Sequence, residues 1–482
     1  MRYFISFLIL IISIFSFRCS DGNFLDISDG AFWVFDTTKD YFYDSSAWYR
    51  IYTDRRYENS RVIVYVDRNA KNISYDDIKK LADEFKNNIY PKITENFAKP
   101  LDVDKNGKTS LVIYDIEDSF ISSGDVYLGG YFSPFDFYSK GAVDQQNSIY
   151  GSAIKTNEGD IIYIDCNPQS ISDPRVFTTI AHEFQHLVNT SYKLVNTDTI
   201  TDTWIEEGLS EAANHMCYGN VTERIHYYND SETSSLISNG HPLFFWDWDP
   251  DEDPDWDTKL LLNYTYSYLF FQFMKGRSSS GDGIFKNILQ SQYGDYRSVQ
   301  DAMDADTSLS GSEWGTTRDE RFKKLLLRWY ATNGGVSGTN YGYNPDDNIT
   351  LTPRLLTGNS PIVLKNGSGI VKNMSGVFSS PENGYIYLSV DNNGDFEDFS
   401  ESGGFSNQDK FIAVYFNPTD MNNSSEVSTP LPDTLFSSSV ANPVVDYQTK
   451  SVQPSKSYSK WIDFIPSRMN KKIKGISKEY IK

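Results

Sequence analysis

The stretch TTIAHEFQHLVNT, residues 178–190, contains two of the five histidines in a chain of 482 residues, four positions apart. Residues i and i+4 of a helix lie one above the other on the same face, so His182 and His186 can reach one metal ion. Glu183 stands one step around the helix, where its carboxylate can take a proton from a water molecule bound to that ion. This H-E-x-x-H pattern predicts a zinc site with Glu183 as the general base.

The residues around the pattern predict the helix on which it lies. In DPRVFTTIAHEFQHLVNTSY, Pro174 falls in the first turn, and apolar residues recur at helical spacing on one face, namely Val176, Ile180, Phe184 and Leu187. The two histidines therefore belong to a helix with an apolar face that packs against a core.

A catalytic zinc site needs a third protein ligand, and WIEEGLSEAA, residues 204–213, offers three glutamates on a second predicted helix. The two segments together resemble the gluzincin zinc metallopeptidases, in which a helix with W-[LI]-x-E-G follows the H-E-x-x-H helix. The glutamate before that glycine is the family's third ligand, which implies Glu207 here and leaves Glu206 as a solvent-facing neighbour. The resemblance also implies that Glu211, one turn later, accepts the second ring N–H of a ligand histidine.

The resemblance is nearest to the hyicolysin-type bacterial members and covers roughly residues 60–335. It rests on the segments IAHEFQHLVN, TWIEEGLSEAA, GDIIYIDCNP and YTYSYLFFQF. It implies a zincin-like fold, one zinc ion, and endopeptidase activity on protein or peptide substrates.

Gluzincins also supply a hydroxyl or imidazole donor to the oxyanion of the tetrahedral intermediate. The resemblance implies Tyr264 for this role, on the predicted helix LLNYTYSYLFFQF, with Tyr266 and His241 as alternatives. Tyr264 and Tyr268 share one helical face, whereas Tyr266 points roughly opposite. A stripe of aromatic residues that only packs the core is the competing interpretation.

A second candidate metal site lies in LDVDKNGKTSLVI, residues 101–113. Asp102, Asp104 and Asn106 alternate before Gly107, as in the first half of an EF-hand calcium loop. Ile113 occupies the twelfth position, where a bidentate glutamate belongs. The sequence therefore favours a tight Asn-Gly turn, with calcium as the weaker alternative.

Charge and the amino terminus indicate where the protein acts. With 44 basic and 65 acidic residues the net charge is −21, which argues against nucleic acid as a partner. Arg2 and the apolar run at residues 3–17 are typical of a signal peptide, predicted over residues 1–19, so the chain is expected to be secreted or attached to the cell surface. Cys19 is a candidate for a lipid anchor, the one expected route to a membrane, although Arg18 stands where a small residue is usual.

Local patterns divide the remaining chain into four parts. Strand and helix signals alternate over residues 20–200, which predicts the α+β part of a zincin-like catalytic domain, and helical signals over residues 201–343 predict its helical part. Short β-rich runs over residues 344–450 predict an all-β domain, a sandwich, and residues 451–482 form a basic tail. Cys166 and Cys217 either form one disulfide bond or remain buried thiols.

These patterns together predict an extracellular zinc-dependent endopeptidase. The strand at residues 161–165 is either the sheet edge that pairs with an extended substrate or an interior strand. Two other functions stay open: a surface adhesin or binding protein on a zincin scaffold with weak or lost activity, and a non-peptidase zinc hydrolase. The intact Glu183 argues against the binding protein, which has no need of that carboxylate.

Overall fold

The computed structural model describes residues 30–118, 126–246, 253, 255–357, 362–373, 385–390, 396–401, 410–417, 426–429 and 460–462. The predicted signal peptide, Cys19 and most of the basic tail lie outside the described residues. Within the described part, no helix has both the length and the apolar character needed to cross a membrane.

Strands and helices alternate in the first part of the chain, and helices dominate the second. The strands are β1 (Ala31–Phe35), β2 (Trp48–Glu58), β3 (Val62–Asp67), β4 (Thr109–Tyr114), β5 (Val126–Leu128), β6 (Gly130–Phe132), β7 (Ile161–Asp165), β8 (Ile362–Lys365), β9 (Gly369–Asn373), β10 (Tyr385–Val390), β11 (Phe396–Glu401), β12 (Lys410–Tyr415), β13 (Glu426–Thr429) and β14 (Lys460–Ile462). The helices are α1 (Tyr75–Glu84), α2 (Tyr90–Asn96), α3 (Lys140–Tyr150), α4 (Pro174–Tyr192), α5 (Thr203–Tyr218), α6 (Thr222–Asn229), α7 (Ser234–Ser238), α8 (Trp256–Lys275), α9 (Gly283–Gln290), α10 (Tyr296–Ala305) and α11 (Arg318–Asn333). This mixture confirms the α+β class.

The first seven strands, except β5, form one mixed sheet in the order β1-β2-β3-β4-β7-β6. β3, β4 and β7 run parallel at its centre, and β6 lies antiparallel to β7 at one edge. Parallel strands that are buried on both faces have largely apolar sequences, as in VIVYVD and TSLVIY. Of the two interpretations of residues 161–165, the interior strand is the observed one, and β6 occupies the edge.

The helix α4 starts where the sequence predicts and is more deeply buried than its pattern suggests. Asp173 caps it by accepting from the backbone N–H of Arg175, and Pro174 is its first residue. Every residue from 179 to 191 is buried. α4 contacts β6 and β7 on one side and α5 on another, so its polar residues also face protein.

The described part of the predicted β domain consists of short strands. β11, β10, β12 and β9 form a four-stranded sheet, and β13 pairs with β8. β9 and β12 pack against α11, and the ring centroid of Phe416 lies 5.0 Å from that of Phe322. The sandwich and the domain boundaries stay predictions, since much of residues 374–459 lies outside the described part.

Two further observations concern the predicted basic tail and the two cysteines. Three residues of the predicted basic tail, Lys460–Ile462, form β14, which runs parallel to β5. Cys166 and Cys217 are both free thiols, and Cys217 is buried as expected, whereas Cys166 is only half-buried.

Candidate metal centre

Two helices packed side by side bring the predicted ligands together. α4 carries His182 and His186, and α5 carries Glu207 in its second turn. His182 Nε2 lies 3.2 Å and His186 Nε2 lies 3.4 Å from Glu207 Oε2. One ligand atom from each residue lies within 4.8 Å of the other two, and all three side chains are buried. The donors of both helices thus converge, as a single ion requires.

The residues that flank Glu207 explain how α5 reaches this position. Trp204 is 1% exposed and packs against Phe244, Phe270 and Phe271. At Gly208 a Cβ atom would come within 2.2 Å of the Phe271 ring, so only glycine allows α8 to approach this closely. The tryptophan and the glycine of the WIEEG segment therefore fix the helix that presents Glu207.

The donor set fits zinc. Two imidazole nitrogens and one carboxylate oxygen are the protein ligands of a common class of catalytic zinc sites, which keep a further position for water. Glu183 is fully buried on the same turn of α4 and is not in the convergent group. This placement agrees with a base beside the ion rather than a ligand, although the role itself stays a prediction.

The electrostatics of the three ligands also favour a cation. Burial by itself would raise the pKa of Glu207, but His186 and His182 bring that pKa below its usual value. Burial would lower the pKa of His186, yet Glu207 and Glu206 raise it well above its ordinary value. The carboxylates that raise the pKa of His186 make its surroundings negative, which favours a divalent cation, and such an ion binds the neutral imidazoles.

Glu206 is not solvent-facing, and that prediction is wrong. It is 1% exposed, and its Oε1 lies 3.4 Å from His186 Nδ1. Ser210 Oγ lies 3.2 Å from the same nitrogen and donates to Gln185 Oε1 at 2.6 Å. The reason is that α4 and α8 enclose α5. The face of α5 that carries Glu206 therefore lies against His186 and not against water.

Glu211 lies near the other ligand histidine without bonding to it. Its Oε1 is 3.9 Å from His182 Nδ1, longer than a hydrogen bond. The same oxygen accepts from Arg224 Nε at 2.9 Å and from Arg224 Nη2 at 2.5 Å. The predicted acceptor role therefore stays a prediction.

Of the three candidate oxyanion donors, Tyr264 has its ring beside a predicted ligand. Its ring centroid lies 6.4 Å from that of His182. Tyr266 packs on Trp329, 5.3 Å away, and His241 Nε2 pairs with Asn263 Oδ1 at 2.5 Å. Tyr266 and His241 belong to one separate cluster, since their rings lie 5.0 Å apart.

The second candidate site includes an acidic residue that the sequence did not indicate. Asp102 and Asp104 group with Asp160, and the Asn106 side-chain amide donates to Asp104 Oδ2. The Asn106 side chain is used inside the turn, where its Oδ1 accepts from the backbone N–H of Lys108 at 2.7 Å, and Gly107 has φ +73°. Burial raises the pKa of Asp160 to about 8. The tight turn is observed, and calcium stays a prediction.

Two residues near the ligands were missed by sequence reasoning. Ser210 lies three positions after Glu207, so helical spacing could have placed it on the face that meets α4. Arg224 follows the helix break at Gly219, and no local pattern connects it with Glu211.

Comparison with known protein families covers the segment that contains α4 and α5. Residues 142–240 match the family described as "Predicted Zn-dependent protease (DUF2268)". The chain is 33% identical over 306 residues to the "Neutral metalloprotease ShpI" of Staphylococcus hyicus, which covers 59% of this chain and 63% of that protein. The chain thus spans less than two thirds of the length of this relative.

Two solved structures show a weaker similarity. Yeast LTA4 hydrolase in complex with bestatin has a TM-score of 0.31 and 10% identity, over 57% of this chain and 41% of that chain. Native yeast LTA4 hydrolase has a TM-score of 0.32 and 10% identity, over 62% and 44%.

The buried pair of histidines and the glutamate from the following helix could hold a metal ion with the donor set expected of a gluzincin. With the matched family and the metalloprotease relative, they support a zinc metallopeptidase.

Proposed function

We propose that this protein is an extracellular zinc-dependent endopeptidase that hydrolyses protein substrates, with zinc held by His182, His186 and Glu207. The observation that carries the proposal is the convergence of these three buried side chains from two helices, with Glu183 on the same turn. The matched family of predicted zinc-dependent proteases and the metalloprotease relative support a protease over other zinc hydrolases.

The chain's own residues supply the proton transfers. Zinc, when bound, polarises the substrate carbonyl and lowers the pKa of the attacking water. The Glu183 carboxylate takes the proton of that water and later gives it to the leaving amine nitrogen. Complete burial keeps this carboxylate in a low-dielectric environment, where its interaction with a nearby cation is strong.

Tyr264 is the proposed donor to the developing oxyanion. The contact between its ring and that of His182 supports this role over Tyr266 and His241, which pack elsewhere. A hydroxyl fixed before the reaction starts stabilises charge without reorganising during it.

The edge strand β6 is the proposed substrate-binding strand, in place of β7. Gly130 begins β6, and a Cβ there would come within 2.9 Å of Thr179 Cγ2 on α4, so this edge lies against the helix that carries the ligands. Pairing with main-chain groups holds an extended peptide while tolerating many side chains.

Export through a signal peptide at residues 1–19 completes the proposal, with Cys19 as a candidate lipid anchor. The basis is the apolar run that follows Arg2.

Casein digestion by the purified full chain tests the function. We expect cleavage that a chelator abolishes, that added zinc restores, and that Glu183→Gln lacks. Zinc-bound wild-type protein that cleaves small esters but not casein would indicate a non-peptidase hydrolase. Zinc-bound protein without any hydrolysis would indicate a binding scaffold. Either result overturns the proposal.

A further inference from the structure

Arg224 contacts two members of the proposed site from a helix that contributes no ligand. It lies on α6 and is 7% exposed. Its Nε and Nη2 both donate to Glu211 Oε1, and its guanidinium carbon lies 4.9 Å from the centre of the Tyr264 ring. One side chain therefore touches both the carboxylate beside His182 and the proposed oxyanion donor.

The orientation of the Glu211 carboxylate depends on its contact with Arg224. Glu211 is fully buried, and its Oε2 has no hydrogen-bond partner among the residues that the structure describes. A buried carboxylate without a cationic partner loses its solvation and takes up a proton or turns toward another donor. The two donations from Arg224 thus fix the orientation of Glu211.

The orientation of Glu211 matters because of the histidine next to it. When Nε2 of a histidine binds a metal, its ring proton resides on Nδ1, and an acceptor there fixes the plane of the ring. Glu211 Oε1 is 3.9 Å from His182 Nδ1, so a small movement of either group makes that hydrogen bond. A carboxylate held by Arg224 is poised for it.

The choice of arginine follows from the two contacts. A guanidinium is planar, so it can direct two N–H groups at one carboxylate while its face stacks on an aromatic ring. A lysine ammonium is a point charge and cannot fix both neighbours in one geometry.

We propose that Arg224 is a positioning residue that orients His182 through Glu211 and holds the Tyr264 ring beside the metal centre. The inference rests on the proposed function for its catalytic consequence, although its effect on metal binding can be measured without any substrate.

The experiment compares Arg224→Gln and Arg224→Lys with Arg328→Gln. Arg328 is a matched control because it is 2% exposed, donates to the Glu313 carbonyl at 2.9 Å and stacks on Trp314 at 4.0 Å, away from the site. The measurements are the zinc Kd by chelator competition, the visible spectrum of the cobalt-substituted protein, and kcat and KM on casein peptides.

We expect Arg224→Gln to raise the zinc Kd by about 10–100-fold, as loss of a partner around a metal ligand does, and to change the cobalt spectrum. kcat should fall more than KM rises, Arg224→Lys should recover part of the affinity, and Arg328→Gln should match wild type in both metal readouts. A folded Arg224→Gln protein with wild-type zinc Kd and cobalt spectrum overturns the proposal.

If Arg224→Gln does not fold, the variants Arg224→Lys and Glu211→Gln test the proposal instead. We expect both to weaken zinc binding, and their double variant to lose less than the product of the two separate effects because the residues act as one unit. Unchanged zinc binding in both overturns the inference. A wild-type chain that binds zinc but does not cleave protein overturns the proposed function alone, because the metal readouts still test Arg224.

Discussion

At the scale of a single residue, we propose that Glu183 acts in the chemistry without binding the metal, so one substitution can separate the two. It is buried beside two ligand histidines without belonging to the convergent group. We expect Glu183→Gln to keep zinc at close to one ion per chain and to lower turnover by about 10²–10⁴-fold, the usual contribution of a general base. Elemental analysis and casein kinetics measure the two effects. Turnover within a few-fold of wild type would falsify the mechanism.

The neighbouring glutamates of α5 are expected to differ in their effect on zinc. Glu207→Ala removes a ligand and should abolish zinc binding, as should His182→Ala and His186→Ala. Glu206→Gln leaves the ligands in place and replaces only the carboxyl group beside His186 Nδ1 by an amide, so we expect zinc to be retained with a Kd raised by about 10–100-fold. Full zinc in Glu207→Ala together with loss in Glu206→Ala would contradict the ligand assignment.

Tyr264→Phe keeps the ring and deletes only the hydroxyl. If this hydroxyl donates to the oxyanion, kcat should fall by about 10²–10³-fold with zinc and fold retained. Tyr266→Phe is the matched control, because its ring packs on Trp329, away from the ligands. An unchanged kcat in Tyr264→Phe with a large fall in kcat in Tyr266→Phe or His241→Ala would assign the oxyanion-donor role to Tyr266 or His241 instead.

At the scale of elements, the distance between α5 and α8 decides where Glu207 lies. Gly208→Ala places a methyl group within 2.2 Å of the Phe271 ring, and the helices must separate. We expect a loss of about 1–3 kcal/mol in the free energy of unfolding, typical of overpacking, together with weaker zinc binding.

Gly141→Ala is the control for that substitution. Gly141 lies in the first turn of α3 with open space around its Cβ position, so alanine there should be neutral or stabilise by up to about 1 kcal/mol. Denaturant unfolding of both variants measures the difference. Equal free energies of unfolding of the two variants would show that the close approach of α8 does not restrict the position of α5.

At the scale of the whole molecule, the candidate metal centre lies between α4 and α5, two separate segments of the chain. An ion that binds the native state alone stabilises it by about 2.7 kcal/mol when its free concentration is 100 times its Kd. We expect a chelator to lower the Tm of the wild type and to leave His182→Ala unchanged. A wild-type Tm that is insensitive to chelator and added zinc would contradict a native-state metal site.

The sequence by itself determined the features that depend on short-range periodicity. The spacing of His182 and His186 is a property of one helix, and their convergence with Glu207 in the structure agrees with it. The apolar runs of β3, β4 and β7 likewise appear as buried strands, because their pattern reports on burial along a single segment.

Only the tertiary structure decided which side of each element meets which neighbour. Glu206 is buried because α4 and α8 enclose α5, β7 is interior because β6 folds back beside it, and Asp160 joins Asp102 across the turn. Arg224 reaches Glu211 because α6 turns back after Gly219. Each of these results depends on contacts between segments far apart in the chain, and a local pattern holds no information on which segments pack together.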